Sequence, residues 1–393
     1  MNVVFLSPAF PPQFFSFCVA LRERGVNVLG LGDTPAHELR QELKEALGEY
    51  YHLPDLGWYA DGHRALAYFI WRHGRIDRID SHTEHWLGLE AQLREDFNVP
   101  GPRPAELQAR RSKSGMAELF QKCGVPHVEG ELFRSAAQTQ AYAQRVGFPL
   151  VFKPDLGVGA ARTFKVSDDK ELAEALAHPL AGYIVQPFQR GDITSYDGLV
   201  DREGRVVFET SHVYSAGIME VVNEQRDVSY WNRREIPPEL AKLGRQVVEG
   251  FGVRERFFHV EFFELPKGGY RALEINLRPP GGFTTDMMNY SADIDVYRLW
   301  ARVLSGDSVE GFAYERKYHV AHVARRHGRS YLVPHDELAR ELGERLLWHR
   351  PMPHAFAGAM GDEVYMIRDP DFARLQKAIG RIQARRVSTS ETR

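Results

Sequence analysis

The chain has 393 residues, 43% of them hydrophobic and 26% charged, and its formal net charge is −3 at pH 7. A chain of this length accommodates two or three domains with hydrophobic cores, and its balanced charge, without an arginine-rich region, argues against a nucleic-acid partner. Two cysteines are too few for a disulfide framework or a cysteine-based zinc site. The sequence has neither a run of about eighteen apolar residues nor a basic leader, so we expect a cytoplasmic protein without membrane spans.

Short apolar runs alternate with amphipathic segments through the first hundred residues. Strand-like runs occur at 3–6, 26–29 and 76–79, and helical spacing occurs at 14–24, 39–47, 64–71 and 86–97. This alternation predicts a Rossmann-like parallel sheet with both faces covered. No glycine fingerprint follows the first strand, which argues against a dinucleotide site. The Pro-Gly-Pro-Arg-Pro segment at 100–104 predicts a domain boundary.

The rest of the chain has the mixed pattern of α+β domains. Strands are expected within 149–214, in two runs around 257–278, and at 319–323 and 363–367. Helical spacing occurs at 110–123, 136–146, 238–251, 293–304, 336–342 and 371–382.

Two apolar runs joined by a Lys-Gly-Gly turn at 267–269 carry a cluster of polar side chains. Glu261 lies in the first run, and Glu274, Asn276 and Arg278 lie in the second. Side chains two apart on a strand share a face, so the latter three point the same way, and pairing of the runs places Glu261 beside them. Two carboxylates and an amide oxygen suit Mg²⁺, and the neighbouring arginine can bind a phosphate or an oxyanion.

A glycine-rich segment lies upstream of this cluster. A strand at 150–153 ends in Lys153 and leads through Asp155, Gly157 and Gly159 into a second strand at 163–166. Glycines let the backbone approach phosphates closely, and exposed backbone N–H groups bind anions. Lys153 would add a positive charge for an inner phosphate. Taken alone, such a hairpin is more often an ordinary turn, and the lysine and the downstream metal cluster favour the phosphate loop.

A third segment joins the glycine-rich region to the strands that follow. The strand at 183–185 ends at Gln186, with Phe188 two residues further, where exposed backbone groups beside an aromatic ring could recognise adenine. Asp192 could accept hydrogen bonds from ribose hydroxyls. A plain loop between strands is an equal alternative for this segment by itself.

In this order, the pieces resemble the ATP-grasp superfamily in its carboxylate–amine ligase-like form. The resemblance rests on Lys113 in RRSKSGM before a Gly-Val-Pro turn, on VFKPDLGVGAAR and VQPFQRGDITSYDG, and on HVEFFE followed by LEINLRPPGG, and it covers about residues 100–304. It implies a Rossmann-like domain at 1–102, an ATP-grasp subdomain with the glycine-rich loop and hinge at 103–190, a second subdomain with the Mg²⁺ and phosphate site at 191–308, and an α+β segment at 309–393.

The resemblance also implies a role for each matching residue, with ATP lying between the two subdomains. Nucleotide contacts would come from Lys113, Lys153, Gly157 and Gly159 at the phosphates, from Gln186 and Phe188 at the adenine, and from Asp192 at the ribose. The metal, Mg²⁺ or alternatively Mn²⁺, would be held by Glu261, Glu274 and Asn276. Arg278 and Lys153 would act on the transferred phosphoryl group.

The sequence departs from the family pattern at three places. Ala160 stands where many relatives carry a serine, and Arg162 adds a charge to the segment expected to close over the phosphates. Gln186 occupies a position where an acid is common. Pro-Pro-Gly-Gly at 279–282 replaces the acid that follows the arginine in biotin carboxylases, which argues against bicarbonate activation.

The activity implied is that of an ADP-forming ligase. It would convert a small carboxylic acid, with an amino acid as the leading candidate, to an acylphosphate that an amine attacks. A kinase or thiol ligase of the same family, and a nucleotide-binding sensor without catalysis, are the alternatives. The sequence leaves open a homodimer and whether Glu84, Asp197, His212 or His259 contact the substrate. A metal site in His-Thr-Glu-His at 82–85 is disfavoured, because its histidines are three residues apart.

Overall fold

The computed structural model describes residues 1–157, 162–215, 217, 221 and 226–386. The N-terminal domain has the predicted parallel sheet, whose apolar strands are covered on both sides, as parallel sheets require. Its strands are β1 (Asn2–Leu6), β2 (Asn27–Gly32), β3 (Glu49–His52) and β4 (Arg78–Asp80), in the spatial order β3-β2-β1-β4. Its helices are α1 (Phe15–Glu23), α2 (Gln41–Ala46), α3 (Tyr59–His73) and α4 (Leu87–Asp96).

A small antiparallel sheet follows. Its strands are β5 (Glu131–Leu132), β6 (Leu150–Pro154), β7 (Phe164–Val166) and β8 (Tyr183–Pro187), in the order β5-β8-β6-β7. The helices of this region are α5 (Pro104–Arg111), α6 (Lys113–Lys122), α7 (Ala136–Val146) and α8 (Asp169–Leu176). The predicted single helix at 110–123 is wrong at its start, because Ser112 is extended and its hydroxyl caps α6 by accepting from Gly115 N.

The remaining strands form one large sheet. They are β9 (Asp192–Val200), β10 (Val206–Thr210), β11 (His212–Tyr214), β12 (Ser229–Asn232), β13 (Phe257–Glu264), β14 (Tyr270–Asn276), β15 (His319–Arg325), β16 (Leu346–Pro351) and β17 (Glu363–Asp369). Their order is β14-β13-β9-β11-β12-β15-β17-β16, with β10 also paired to β9. The strands of the C-terminal segment therefore continue the sheet that carries the acidic pair.

Helices cover both faces of the large sheet. They are α9 (Pro238–Gly250), α10 (Thr284–Ala292), α11 (Val296–Ser305), α12 (His335–Leu342), a 3₁₀ turn (Gly343–Arg345), α13 (His354–Met360) and α14 (Phe372–Gln383). The predicted helix at 293–304 starts later, because left-handed Asp293 ends α10 and the Asp295 side chain caps α11. None of the described helices combines the length and the apolar character needed to cross a lipid bilayer.

Side chains of β13 point alternately to the two faces of the large sheet, and this alternation positions the candidate site. Phe258 and the apolar residues that alternate with it pack against α9 on one face. Phe257, on the other face, packs against Phe17 of the N-terminal domain, and α11 joins the same core through Trp300. Glu261 is four residues beyond Phe257, so it lies on the face that meets the N-terminal domain.

Candidate active site

The hairpin of β13 and β14 brings the two acidic residues together. The strands pair antiparallel with Glu261 directly opposite Glu274 and His259 opposite Asn276, so the predicted pairing is confirmed. The turn has Gly268 at φ +86°, in a region that glycine adopts without strain.

The donors on this hairpin fit a magnesium ion that is shared with a nucleotide. Asn276 donates from Nδ2 to Glu274 Oε1 at 3.1 Å, which places the amide beside the carboxylates. Among the described residues, no set of three or more His, Cys, Asp or Glu side chains is arranged to hold a metal by itself. Two carboxylates and an amide are nevertheless a suitable partial shell, because Mg²⁺ usually takes its other ligands from water and substrate phosphates.

Lys153, at the end of β6, connects the small sheet to the acidic pair. Burial lowers the pKa of its ammonium group from 10.5 to about 8, against the opposing attraction of Glu274 and Glu261, while Lys113 lowers the pKa further by repulsion. These interactions show that the two lysines and the two carboxylates share one electrostatic environment. Lys153 of the small sheet thus lies near enough to the carboxylates of the large sheet to interact with them electrostatically, and we call this junction of the two sheets the cleft.

The glycine-rich segment is anchored to the start of α6. Lys113 Nζ donates to Gly157 O at 3.2 Å, and the Asp155 carboxylate accepts from Ser114 N at 2.8 Å and from Ser114 Oγ at 3.0 Å. Asp155 thus holds the glycine-rich segment against the start of α6, a role that was not predicted from the sequence. Gly157 has φ +136°, a conformation that other residues rarely adopt.

The tip of this segment falls outside the description. Gly159 and Ala160 are among the residues that the structure does not describe, whereas Arg162 is described and has φ +58°. The predicted closing segment over the phosphates therefore stays a prediction.

The candidate adenine site lies at the end of β8. Gln186 is buried, and its Nε2 donates to Val128 O at 3.0 Å. Phe188 is half-buried, and the Lys165 ammonium lies 4.8 Å from its ring centroid. Asp192 is exposed at the first position of β9. Lys165, in the strand after the glycine-rich segment, was not predicted from the sequence to lie near Phe188.

Arg278 follows β14 and begins a loop held from two sides. Its Nη1 donates to Pro279 O at 2.8 Å, and the side chain is half-buried. Gln13 of the N-terminal domain donates from Nε2 to Gly282 O at 2.5 Å, and Thr284 Oγ1 donates to Gly281 O at 2.6 Å. Gln13 was not found from the sequence, because 269 residues separate it from Gly282.

Three buried polar residues whose role the sequence left open, Asp197, His212 and His259, are hydrogen-bonded to one another and to Glu261. Asp197 lies between His259, whose Nδ1 is 2.5 Å from Oδ1, and His212, whose Nδ1 is 2.7 Å from Oδ2. His259 Nε2 is 3.0 Å from Glu261 Oε1. Although burial opposes the charged ring, the adjacent Asp197 and Glu261 carboxylates raise the pKa of His259 to about 9.

Glu84, the last of the residues left open, and His82 of the disfavoured His-Thr-Glu-His metal motif lie where the N-terminal domain meets the rest of the chain. Glu84 accepts from Arg111 Nε at 3.1 Å and so connects the first domain to the end of α5. His82 is buried among aromatic rings, including Phe17 and Trp300 at centroid distances of 4.1 and 4.4 Å, and burial lowers its pKa to about 4. His82 therefore belongs to the packed core.

The same arrangement of sheets occurs in solved structures. The chain superposes on an L-amino acid ligase from Bacillus licheniformis with a TM-score of 0.73 and 16% identity, over 96% of this chain and 95% of that one. It superposes on N5-carboxyaminoimidazole synthetase from Staphylococcus aureus with a TM-score of 0.70 and 12% identity, over 96% of each chain. The chain has the ATP-grasp fold.

Sequence comparisons agree with this fold but cover less of the chain. No family model matches it. The L-arginine-specific L-amino acid ligase of Bacillus subtilis is 20% identical over 255 residues, which are 60% of this chain and 61% of that protein. The phosphoribosylamine–glycine ligase of a Synechocystis strain is 33% identical over 121 residues, 29% of each chain. The matched part of this chain thus spans less than two thirds of the length of either relative.

Proposed function

We propose that this ATP-grasp protein is an ADP-forming ligase that joins a small carboxylic acid to an amine. The observation that carries the proposal is the electrostatic interaction of Lys153 with Glu261 and Glu274, which lie directly opposite each other on β13 and β14. A cation from the small sheet and a two-carboxylate site on the large sheet are suited to hold the phosphates of ATP with Mg²⁺ between them.

Such a site overcomes the poor reactivity of a carboxylate. A carboxylate oxygen attacks the γ-phosphorus of ATP, the bond to the β,γ-bridging oxygen breaks, and ADP leaves. The amine nitrogen then attacks the acyl carbon, phosphate departs, and the nitrogen loses a proton. Bound Mg²⁺ would supply charge neutralisation at the phosphate oxygens, with Glu261, Glu274 and Asn276 as its ligands.

The chain's own residues position and neutralise the reacting groups. Lys113 and Lys153 would bind phosphate oxygens, and Arg278 would stabilise the charge that develops on the transferred phosphoryl group. The backbone around Gly157 would cover the phosphates and limit access of water to the acylphosphate. The nucleoside would be bound by Gln186, Phe188 and Asp192, with Gly159 completing the phosphate loop.

An amino acid is the leading carboxylate substrate. Support comes from the similarity to two proteins named as L-amino acid ligases, one in sequence and one in structure. Both proteins are at or below 20% identity to this chain, so the test uses pools of acids and amines rather than one amino acid.

One incubation tests the proposal and its alternatives. The protein is mixed with ATP, Mg²⁺ and pools of amino acids and other small acids and amines, and ADP, AMP, free phosphate and product masses are measured. ADP and phosphate with a condensed product support the amine ligase, whereas a thioester product indicates a thiol ligase.

The other outcomes contradict the ligase. ADP with a stable phosphorylated acid indicates a kinase, and AMP with pyrophosphate excludes the acylphosphate route. ATP binding without turnover on any pool indicates a sensor. The intact set of candidate charged residues on both sides of the cleft favours catalysis over sensing.

A further inference from the structure

A continuous chain of hydrogen bonds runs from the candidate metal site into the core of the large sheet. It starts at Glu261 on β13, passes through His259 on the same strand to Asp197 on β9, and ends at His212 on β11. The side chains of Asp197 and His212 are both 0% exposed. Titratable groups buried this deeply are costly unless each is paired.

The central carboxylate is fixed by several partners. Asp197 Oδ1 bonds His259, and Oδ2 bonds both His212 Nδ1 and Ser195 Oγ, the last at 2.5 Å. Ser195 Oγ also accepts from His212 N at 3.2 Å. Because both carboxylate oxygens of Asp197 are hydrogen-bonded, its side chain is held in place and can orient the His259 ring through Nδ1.

His259 in turn fixes one oxygen of Glu261. Each ring nitrogen of His259 lies within hydrogen-bonding distance of a carboxylate oxygen, so the ring links Asp197 to Glu261. Glu261 Oε1 is therefore held in place. Within the described part of the chain, Oε2 of Glu261 accepts no hydrogen bond, and this oxygen is left for a cation.

We propose that His259 is a positioning residue that orients Glu261 for Mg²⁺, with Asp197 as its anchor. The inference rests on the proposed function, because it takes Glu261 as a ligand of the ATP-bound ion. Partners that orient a metal-binding side chain in this way commonly contribute 10- to 100-fold to metal affinity. A residue that only filled space would leave the metal dependence unchanged.

The test compares two buried histidines on one face of the sheet. His259→Asn removes the bond to Glu261, and His322→Asn removes a buried imidazole on β15 that bonds Met360 O at 3.2 Å and lies outside this chain of hydrogen bonds. Binding of a non-hydrolysable ATP analogue is measured by calorimetry over a range of Mg²⁺ concentrations. Binding of ADP without metal is measured in parallel.

For His259→Asn, we expect a rise of about 10- to 100-fold in the Mg²⁺ concentration at which the affinity for the ATP analogue is half-maximally increased. ADP binding without metal is expected to stay within about threefold, and His322→Asn should match the wild type in both measurements. Unchanged Mg²⁺ dependence in His259→Asn, or equal shifts in both variants, would overturn the inference. Asp197→Asn should shift the Mg²⁺ dependence in the same direction, because it weakens the anchor.

A wild-type structure decides the matter if the variants do not fold. In a crystal with Mg²⁺ and the ATP analogue, Glu261 must bind the ion while it keeps its bond to His259. A Glu261 side chain that leaves His259 to reach the ion, or that stays away from the ion, contradicts the proposal. Both readouts are independent of ligation, so a shift in Mg²⁺ dependence without any condensed product would refute the ligase and retain His259 as a positioning residue.

Discussion

Replacing Lys153 with methionine should stabilise the nucleotide-free protein and weaken ATP binding. The lysine pKa falls from 10.5 to about 8 in the folded chain, chiefly through burial. At 1.36 kcal/mol per pKa unit, the folded environment disfavours the charged ammonium by about 3 kcal/mol. Methionine has a similar length and no charge, so Lys153→Met should gain about 1–3 kcal/mol in free energy of unfolding at pH 7.

The difference in unfolding free energy between Lys153→Met and the wild type should decrease as the pH rises. Between pH 8 and 10.5 the unfolded chain keeps a proton on Lys153 that the folded chain has lost. Wild-type stability should therefore rise with pH across this window relative to the variant. The advantage of Lys153→Met is full below pH 8 and disappears above 10.5.

The assay is urea unfolding from pH 7 to 10.5, with ATP affinity measured at pH 7. Loss of a charge-assisted contact of about 1.5–3 kcal/mol corresponds to ATP affinity weaker by roughly 10- to 150-fold. Lys242→Met, at an exposed position of α9, should leave both quantities unchanged. A Lys153→Met protein less stable than the wild type at pH 7, or one with unchanged ATP affinity, refutes the assignment of Lys153 to a desolvated phosphate site.

Three further changes test the cleft and its support. Arg278→Ala should lower kcat at least about 100-fold while the KM for ATP stays within about threefold, as steady-state kinetics would show. Glu274→Gln should raise the Mg²⁺ concentration for half-maximal ADP release, whereas Glu264→Gln, at a residue of β13 paired with an arginine, should not. Gly244→Ala should cost about 1–3 kcal/mol in urea unfolding, because its Cβ would lie 2.1 Å from a ring carbon of a buried tyrosine, and Gly380→Ala, with open space around it, should cost nothing.

The acidic hairpin could be predicted because its residues lie close together in the sequence. Glu261 and Glu274 lie on strands joined by a short turn, and period-two alternation gives the facing side chains directly. Lys153 could be predicted as a candidate for a similar reason, since it lies near the end of a clear strand before a glycine-rich segment.

Several elements escaped prediction because their sequences lack a distinct period. Helix α10 follows directly on the Pro-Pro-Gly-Gly segment and is buried along much of its length, so no polar face marks it. Strand β16 lies at the edge of the large sheet and has no buried residue, so no alternation of buried and exposed side chains marks it. Helix α13 has no buried residue that would give it an apolar stripe.

The sequence by itself determined the fold class, the order of the ATP-grasp segments and the residues of the acidic hairpin, because alternation, turn residues and spacing act over a few neighbouring positions. Only the tertiary structure decided which distant groups meet, such as Asp197 with His259, 62 residues apart, and Gln13 with the loop after Arg278. These contacts depend on strand order in the large sheet and on how the N-terminal domain packs against it. Both are set by the burial of apolar faces, which no local pattern specifies.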